Sequence, residues 1–420
     1  MDKKRSAGVP FILVTLLLDT LGIGVIIPVL PRLIESFLGG DIARASSYFG
    51  AFVAVYAAMQ FVFAPILGGL SDRFGRRAVI LASLAGASLD YLLLAFAPSL
   101  AWLFLGRVVA GITGASFSAG TAYIADVTPA EKRAQSFGLM GAAFGLGFIL
   151  GPALGGLLGG VSLRLPFFVA AGLNLLNFIY GSVVLPESLR REDRRPFSLR
   201  RANPLSSLRN IARHPVILGL TATLVCSMLA QQILNSIWAL HTEARFGWGP
   251  RDVGASLALV GLTSAIVQGG LIRAIMPRLG ERRALLVGLA FCAAGFLAFS
   301  LATQGWMMYA ILIPFSLGGL ATPASQAILS REVGPSEQGE LQGSLSSLQS
   351  LTGILGPLLS TLLFTHFAAP GATPHIPGAP FFAAAGLSLL AMLLTLRLFA
   401  KTPPKPLDQS ASLPSTIAPH

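Results

Sequence analysis

The sequence predicts an all-α membrane protein in which twelve transmembrane helices form two six-helix bundles. Hydrophobic residues make up 54% of the 420-residue chain and charged residues 11%. Soluble proteins carry about 25% charged residues, more than twice that share. The apolar residues fall into runs of about 20, the length that a helix needs to cross a hydrocarbon core of ~30 Å. The second half of the chain also repeats landmarks of the first.

Twelve apolar runs, numbered as spans 1 to 12, carry this prediction. They are too long and too continuously apolar to be the alternating strands of a membrane barrel. Span 1 also exceeds the roughly 7–15 residues of a signal-peptide core, so it is predicted to be a helix that stays in the protein. The runs lie near 9–30, 48–70, 78–97, 100–123, 135–159, 165–185, 215–239, 251–273, 284–302, 305–328, 340–365 and 379–400.

An arginine-rich segment is the one long polar connection between spans, and it divides them into two groups of six. The tail is rich in proline and serine, a composition that predicts disorder. The predicted organisation is a first bundle over 1–185, a cytoplasmic linker over 186–213, a second bundle over 214–402 and a disordered cytoplasmic tail over 403–420.

Basic residues predict the orientation. With the N-terminus in the cytoplasm, 24 of the 30 lysines and arginines fall on the inner side or in its tails. Because short cytoplasmic loops are rich in Lys and Arg, this distribution predicts that both termini are cytoplasmic. The net charge of +12 then reflects membrane topology and does not call for a nucleic-acid partner. The five predicted outer arginines are Arg32, Arg44, Arg164, Arg245 and Arg251.

The two halves share an internal repeat with an offset of 205 residues. Three landmarks in loops and spans keep this spacing, which indicates a parallel duplication of six helices. That arrangement is typical of large secondary transporters, whose substrate site lies near the membrane midplane between the halves. The matching pairs are Arg73-Phe-Gly75 with Arg278-Leu-Gly280, Gly151-Pro152 with Gly356-Pro357, and Gly138 with Gly343.

The loop after span 2 reads Gly68-Gly-Leu-Ser-Asp72-Arg73-Phe-Gly75-Arg76-Arg77. Its glycines permit a tight turn and its arginines anchor it at the cytoplasmic face. A plain basic loop would not need the aspartate and glycine at this spacing, and the stretch resembles the loop signature of the major facilitator superfamily. The resemblance implies a gate latch, for which Asp126 is the expected partner of Arg76. In the second half, Pro277 stands where Asp72 would be.

Span 5 carries a series of small residues: Gly138, Gly147, Gly151, Pro152, Gly155 and Gly156. Glycines allow helix backbones to approach closely, and a Gly-Pro pair kinks a helix. Helix packing alone could explain the series. It also resembles the signature of the antiporter branches of that superfamily, which implies export rather than uptake.

Three charged residues, Asp19, Asp90 and Arg107, lie well inside the apolar core of the predicted spans. An arginine in the membrane costs about 3 kcal/mol, so Arg107 needs a partner. Asp90 and Arg107 are equally far from the turn at Pro98-Ser99, which predicts that they pair across a helical hairpin. Asp19, about ten residues into span 1, is a candidate proton carrier because burial penalises its charged form; the alternative is a static structural acid. The helices of the second half are expected to hold no acid, with Glu340 at a helix entrance, so carboxylate-based proton coupling is expected in the first half.

Polar residues within the spans are candidates for lining a substrate cavity. Gln231 and Asn235 are four residues apart and share a helix face. Each candidate could instead form an interhelical hydrogen bond. The candidates are Gln60, Gln231, Gln232, Asn235 and Gln326, with Tyr56 and Gln268 as weaker choices.

Several stretches resemble the bacterial tetracycline/proton antiporters, a drug/proton antiporter branch of the same superfamily. The chain departs from them at Cys292, where they carry an aspartate, and at Ser264, where they carry a histidine. The resemblance implies a monomer in the bacterial inner membrane that exports small amphipathic drugs, with tetracycline-like compounds the leading candidate. Its energy would come from the proton gradient, without a cofactor or metal. The stretches are Leu18-Asp19-Thr-Leu-Gly22-Ile-Gly24, Gly86-Ala-Ser-Leu-Asp90-Tyr, Arg107-x-x-x-Gly111-Ile-Thr-Gly114 and Arg245-Phe-Gly247-Trp248.

Two other classes of function remain to be compared with export. Uptake or symport of a small metabolite would use the same fold, but the span 5 glycines favour an exporter. A membrane enzyme or a sensor is disfavoured because no nucleophile–base pair or metal-ligand cluster is visible. The five histidines are expected at helix ends, in loops or in the tail, and a phosphate-binding loop for ATP is missing from the sequence.

Overall fold

The computed structural model describes residues 8–114, 116–194, 215–332 and 338–401. Most of the predicted linker and the predicted tail therefore lie outside the described residues. Within the described ranges the chain is helical and contains no strand. The helices of the first half are Gly8–Ile26, Leu30–Ser36, Ile42–Phe74, Arg76–Phe96, Leu100–Thr113, Ser116–Val127, Ala130–Gly159 and Leu165–Val184, with a single 3-10 turn at Arg191–Asp193.

The second half repeats this pattern with more interruptions. Its helices are Pro215–Phe246, Pro250–Ile266, Ile272–Leu301, Gly305–Phe315, Ala321–Glu332, Gln338–Leu363 and Ala379–Lys401. Short π-helical segments at Val267–Leu271 and Phe364–Ala368, and a 3-10 segment at Ser316–Leu320, join or end them. Such irregular turns are common at functional positions of membrane helices.

Eleven stretches of the described chain are long and apolar enough to cross a membrane. One of them, Pro250–Leu301, has 52 residues, which at 1.5 Å per residue would extend about 78 Å as a single helix. The backbone turns within it at Gly280, where φ is 71°. It therefore contains spans 8 and 9, and the predicted twelve-span fold is confirmed.

Several span ends differ from the prediction by four residues or more, and three of them shape the distal face. Span 1 ends at Ile26, and a separate short helix, Leu30–Ser36, follows it. The prediction continued the span to residue 30 because the sequence stays apolar. Pro28 and Pro31 interrupt the helix because proline has no backbone N–H to donate. Span 2 starts earlier, at Ile42, where the Asp41 carboxylate accepts a 2.9 Å hydrogen bond from the backbone N–H of Arg44. Span 7 runs on to Phe246.

The two halves meet through two pairs of spans, span 5 with span 8 and span 2 with span 11. The face that carries the 68–77 loop is called the basic face, and the opposite end is called the distal face. The largest buried hydrophobic cluster joins both halves toward the distal face, from Ile26 and Phe49 to Trp238 and Phe299. Two smaller clusters each belong to one half.

The halves are closed at the distal face and apart at the basic face. Four hydrogen bonds and one ion pair between described residues join the halves at the distal end, such as the 2.7 Å contact between the hydroxyls of Ser46 and Thr365. Near the basic face, a Cβ added at Gly68, Gly138 or Gly269 would meet no described atom within 4 Å. The cavity between the halves therefore opens toward the basic face.

Candidate functional site

The buried ion pair of the first half is present as predicted. Span 3 ends at Phe96 and span 4 begins at Leu100, so the hairpin brings Asp90 and Arg107 to one depth. Arg107 Nη2 donates to Asp90 Oδ2, and the two residues are only 7% and 2% exposed. The space for this pair depends on Gly106, because a Cβ there would lie 2.8 Å from Asp90 Oδ1.

Two further side chains lie close to this pair. The guanidinium carbon of Arg107 is 6.0 Å from the centre of the Tyr56 ring on span 2. Asp19 of span 1 is half-buried, and Tyr56 is within electrostatic reach of Asp19, Asp90 and Arg107. Spans 1 to 4 therefore bring two acids, one arginine and a phenol together around one region. Tyr56 was a weak candidate from the sequence alone, because a tyrosine within a span carries no pattern of its own.

The span 5 glycines form a ridge against span 1. Three of these glycines are spaced four residues apart. Each faces one of three backbone carbonyls of span 1, which are likewise four residues apart. A Cβ at Gly147 would lie 2.7 Å from its carbonyl oxygen, and one at Gly151 would lie 2.6 Å from its own. Only glycine permits this approach. The facing pairs are Gly147 with Leu17, Gly151 with Leu21, and Gly155 with Val25.

The other side of span 5 contacts the second half. A Cβ at Gly156 would lie 2.9 Å from the Cα of Gly254 in span 8. On the side of span 5 that faces span 1, a Cβ at Gly24 of span 1 would lie 2.6 Å from Pro152 Cδ. Span 5 is thus packed between the helix that carries Asp19 and the opposite half. Gly138, the first residue of the predicted series, takes no part in this packing, since a Cβ added there would have no described atom within 4 Å.

Amide side chains supply the polar surface of the second half. Gln231 and Asn235 are exposed in the middle of span 7, with 3.4 Å between Gln231 Nε2 and Asn235 Oδ1. Gln232 packs against span 11, where a Cβ added at Gly353 would lie 3.2 Å from Gln232 Nε2. The Gln232 Oε1 atom accepts a 3.3 Å hydrogen bond from Asn235. Amides exposed at this depth indicate a water-accessible cavity rather than a lipid-facing surface.

The remaining two cavity candidates lie on different halves. Gln60 of span 2 donates to the Tyr56 hydroxyl at 3.3 Å and to the Gly114 carbonyl at 3.4 Å, next to the break in span 4. It therefore connects the charged cluster to the break in span 4. Gln326 is exposed on the helix Ala321–Glu332.

The contact between Arg76 and Asp126 predicted for the loop at the basic face is also present, and the network around it is called the latch. Arg76 Nη1 lies 2.5 Å from Asp72 Oδ1, and Arg76 Nε lies 3.2 Å from Asp126 Oδ2 at the end of span 4. Asp126 accepts a further 2.9 Å hydrogen bond from the Ser188 hydroxyl. Arg73 does not join this network; it is exposed, with its guanidinium 5.1 Å from the centre of the Phe74 ring.

Glu187, at the start of the linker, completes the latch and was missed from the sequence. Its carboxylate accepts from the backbone N–H groups of Arg76 at 2.8 Å and of Arg77 at 3.3 Å, the first residues of span 3. Helix N-termini favour a carboxylate at their free N–H groups. Gly75, with φ of 107°, leaves room for this carboxylate, which a Cβ would overlap. Arg77 also donates to the Ser182 carbonyl at 2.5 Å.

A second ion pair, at the distal face, was likewise missed. Arg32 Nε lies 2.6 Å from Glu243 Oε1, and Arg32 Nη2 donates to the Trp248 carbonyl at 2.9 Å. This distal ion pair joins the two halves. The expectation that the second half has no acid within its helices is wrong, because span 7 continues through Glu243. The same extension buries His241, expected at a helix end, to 1% exposure.

The fold and the site define a secondary transporter: two six-span halves, a cavity between them open at one face, and buried charges beside that cavity. The family model "Major Facilitator Superfamily" matches residues 12–319 and 226–416. The chain belongs to this superfamily and, within it, to the family of the tetracycline resistance proteins. Members of the superfamily are transporters and not enzymes, and this chain is a multi-pass membrane protein of the bacterial type.

Three similar proteins illustrate the relationship. The class C tetracycline resistance protein of Escherichia coli is 45% identical over 366 residues, which are 87% of this chain and 92% of that one. The class B protein of Escherichia coli is 42% identical over 84% of this chain and 88% of its own length. The crystal structure of the human organic anion transporter MFSD10 superposes with a TM-score of 0.68 at 26% identity, covering 94% of this chain and all of that one.

Proposed function

We propose that this chain is a proton-coupled exporter of small amphipathic drugs, with tetracycline-like compounds as the leading candidate. The proposal rests on one observation: a chain that belongs to the family of the tetracycline resistance proteins also holds three charged residues within its first six spans. The chain is up to 45% identical to tetracycline resistance proteins, and it holds Asp19, Asp90 and Arg107 inside the first half. The basic face is assigned to the cytoplasm because it carries most of the arginines.

The cavity geometry suggests how export would proceed. A drug enters from the cytoplasm through the open basic face and contacts the amides of span 7 and Gln60. The halves then rock so that the distal face opens and the basic face closes, as alternating access requires. Protonation of a first-half acid accompanies drug release, and the proton leaves to the cytoplasm when the cavity reopens. A carboxylate in this setting carries a proton reversibly because burial penalises its charged form.

Asp19 is the proposed proton carrier, and the Asp90–Arg107 pair is proposed to respond to its charge. Arg107 already has a carboxylate partner, so the state of Asp19 sets the net charge of the cluster. Tyr56 and Gln60 extend this cluster toward the drug-binding amides. We propose a monomer that uses the proton gradient and needs no cofactor or metal.

Drug susceptibility of bacteria that express the chain tests the proposal. Wild type is expected to raise the tolerated concentration of at least one tetracycline-like compound, and Asp19→Asn and Asp90→Asn are expected to abolish the increase at equal expression. Glu192→Gln, an exposed acid outside the spans, is the matched control and should retain it. In everted vesicles the same drug should collapse a preformed proton gradient. The panel comprises tetracycline-like compounds and other amphipathic drugs; if expression of wild type leaves the tolerance of every one of them unchanged, export is refuted.

A further inference from the structure

Span 2 packs closely against span 4 beside Arg107. A Cβ added at Gly111, one turn after Arg107, would lie 2.6 Å from the backbone carbonyl oxygen of Tyr56. Glycine permits this approach. It brings the Tyr56 ring to the guanidinium of Arg107, whose carbon is 6.0 Å from the ring centre, a distance at which a cation and an aromatic ring attract each other. Arg107 therefore interacts with both the Asp90 carboxylate and the Tyr56 ring.

Gln60, one turn further along span 2, joins the Tyr56 hydroxyl to the break in span 4. Its Nε2 donates to the Tyr56 oxygen and to the carbonyl of Gly114, which follows the last helical residue before the break. These two bonds use both amide hydrogens of Gln60. Gln60 Oε1 and the Tyr56 O–H have no hydrogen-bond partner among the described residues, and both side chains are half-buried. An acceptor and a donor are thus left next to each other for a ligand in the cavity.

Arg107 is shared between this ring and the acids of the first half. Up to its break, span 4 packs against spans 2 and 3. Asp19 of span 1 acts electrostatically on Tyr56, and Tyr91 of span 3 is within electrostatic reach of Arg107 and both acids. The attraction of one guanidinium to the Tyr56 ring competes with its attraction to the carboxylates. A displacement of the ring therefore changes how well Arg107 stabilises the charged form of the acids.

We propose that Tyr56 couples drug binding to proton release, an inference that rests on the proposed export function. A drug that donates to Gln60 Oε1 and accepts from the Tyr56 O–H draws the ring toward the cavity and away from Arg107. Arg107 then acts on the carboxylates alone, which favours their charged form, and a proton passes from Asp19 to the water of the cavity. The matching ligands carry a carbonyl next to a hydroxyl or an amide N–H, as in a keto-enol or a carboxamide.

Infrared titration of the purified, drug-free protein tests the link between Tyr56 and the acids. The C=O band of protonated carboxyl groups is followed against pH, and Asp19→Asn and Asp90→Asn identify the contribution of each acid. Tyr56→Leu removes the ring, so the midpoint should move to lower pH, equivalent to roughly a three- to tenfold lower proton affinity. Tyr56→Phe keeps the ring and should leave the midpoint unchanged. Tyr180→Leu, at an exposed tyrosine of span 6, is the matched control and should also leave it unchanged.

Proton release on drug binding tests the second link. Tetracycline is the probe; it is mixed with weakly buffered protein in detergent, and the released protons are counted with a pH-sensitive dye. Wild type should release protons in proportion to the bound drug. Tyr56→Phe lacks the hydroxyl and Tyr56→Leu lacks hydroxyl and ring, so both should release fewer protons per bound drug, whereas Tyr180→Leu should match wild type. Because the count is made per bound drug, weaker binding alone does not imitate this result.

The outcomes separate this coupling from the proposed export. The coupling is overturned if Tyr56→Leu leaves the midpoint of the carboxyl band unchanged or moves it to higher pH, whether or not the chain exports drugs. It is also overturned if both Tyr56 variants release as many protons per bound drug as wild type. If Tyr56→Leu does not fold, Tyr56→Phe decides the question through the proton count. If the midpoint moves as expected but no compound gains tolerance, the ring acts on the acids, and the coupling to a drug fails together with export.

Discussion

The distal ion pair provides a quantitative test of how the cavity is closed. Glu243→Gln removes the charge that faces Arg32 at 2.6 Å, while the hydrogen bond from Arg32 to the Trp248 carbonyl can remain. The two side chains are 32% and 12% exposed, so the pair lies between an exposed one, worth about 0–1 kcal/mol, and a buried one, whose disruption costs about 3–5 kcal/mol. Between these limits we expect a loss of about 1–2 kcal/mol.

That loss acts only on the conformation in which the halves meet at the distal face. A change of about 1.4 kcal/mol is tenfold in an equilibrium constant, so the ratio of closed to open distal face should fall roughly 5- to 30-fold. The assay is disulfide formation between Ser47→Cys and Thr365→Cys, in a background where Cys226 and Cys292 are Ser. The native hydroxyls of this pair are 3.2 Å apart across the halves, so cross-linking reports distal closure.

Glu35→Gln is the matched control, because Glu35 lies on the same short helix as Arg32 and forms no ion pair with any described residue. It should leave cross-linking unchanged or raise it slightly, since it removes a negative charge near Glu243. The charge-reversed double variant Arg32→Glu/Glu243→Arg should recover part of the yield. If Glu243→Gln cross-links as fast as the parent, or if Glu35→Gln slows it equally, the distal ion pair does not hold the halves together.

Three further predictions concern the first half. Gly155→Val places a side chain against the Val25 backbone and should cost about 1–3 kcal/mol through overpacking, measured as a lower Tm in detergent; Gly138→Val, with open space around it, should leave the Tm unchanged. Arg107→Gln leaves the buried Asp90 without its partner and should destabilise the folded state by about 3–5 kcal/mol. The double variant Arg107→Gln/Asp90→Asn should recover the Tm but not transport. A Tm that does not recover would contradict the pairing. Glu187→Gln weakens the cap of span 3 by about 1 kcal/mol, so hydrogen exchange at the first amides of span 3 should accelerate; equal exchange in both proteins would show that the cap is dispensable.

The sequence was sufficient where a residue's partner is set by local geometry. The Asp90–Arg107 pair followed from two distances to one hairpin turn, whereas the Arg76–Asp126 contact followed from the resemblance of the loop to a family signature. The distal ion pair could not be predicted, since Arg32 contacts residues as far as 216 positions along the chain. Nothing in either segment encodes how the halves dock.

Span 7 shows which signal was available and overlooked. Its apolar run ends where His241, Thr242 and Glu243 begin, but the helix continues because those polar residues pack inside the protein. The actual stop is Gly247, whose φ of 68° is the left-handed conformation that ends many helices. Ending the helix at this glycine would have placed Glu243 and His241 inside it. An apolar run marks the part of a helix that contacts lipid. It does not mark a helix end that is made of polar residues and packs inside the protein.

The charged groups at mid-span depth in the described chain belong to the first half, whereas the exposed mid-span amides of span 7 belong to the second. This division makes the two halves separately adjustable. Exchanging Gln231 or Asn235 for other side chains would alter which compounds fit, without touching the acids that proton exchange would require. A bacterial population under changing antibiotic exposure could therefore retune its resistance range by a few substitutions on one side of the protein, at little cost to the machinery on the other.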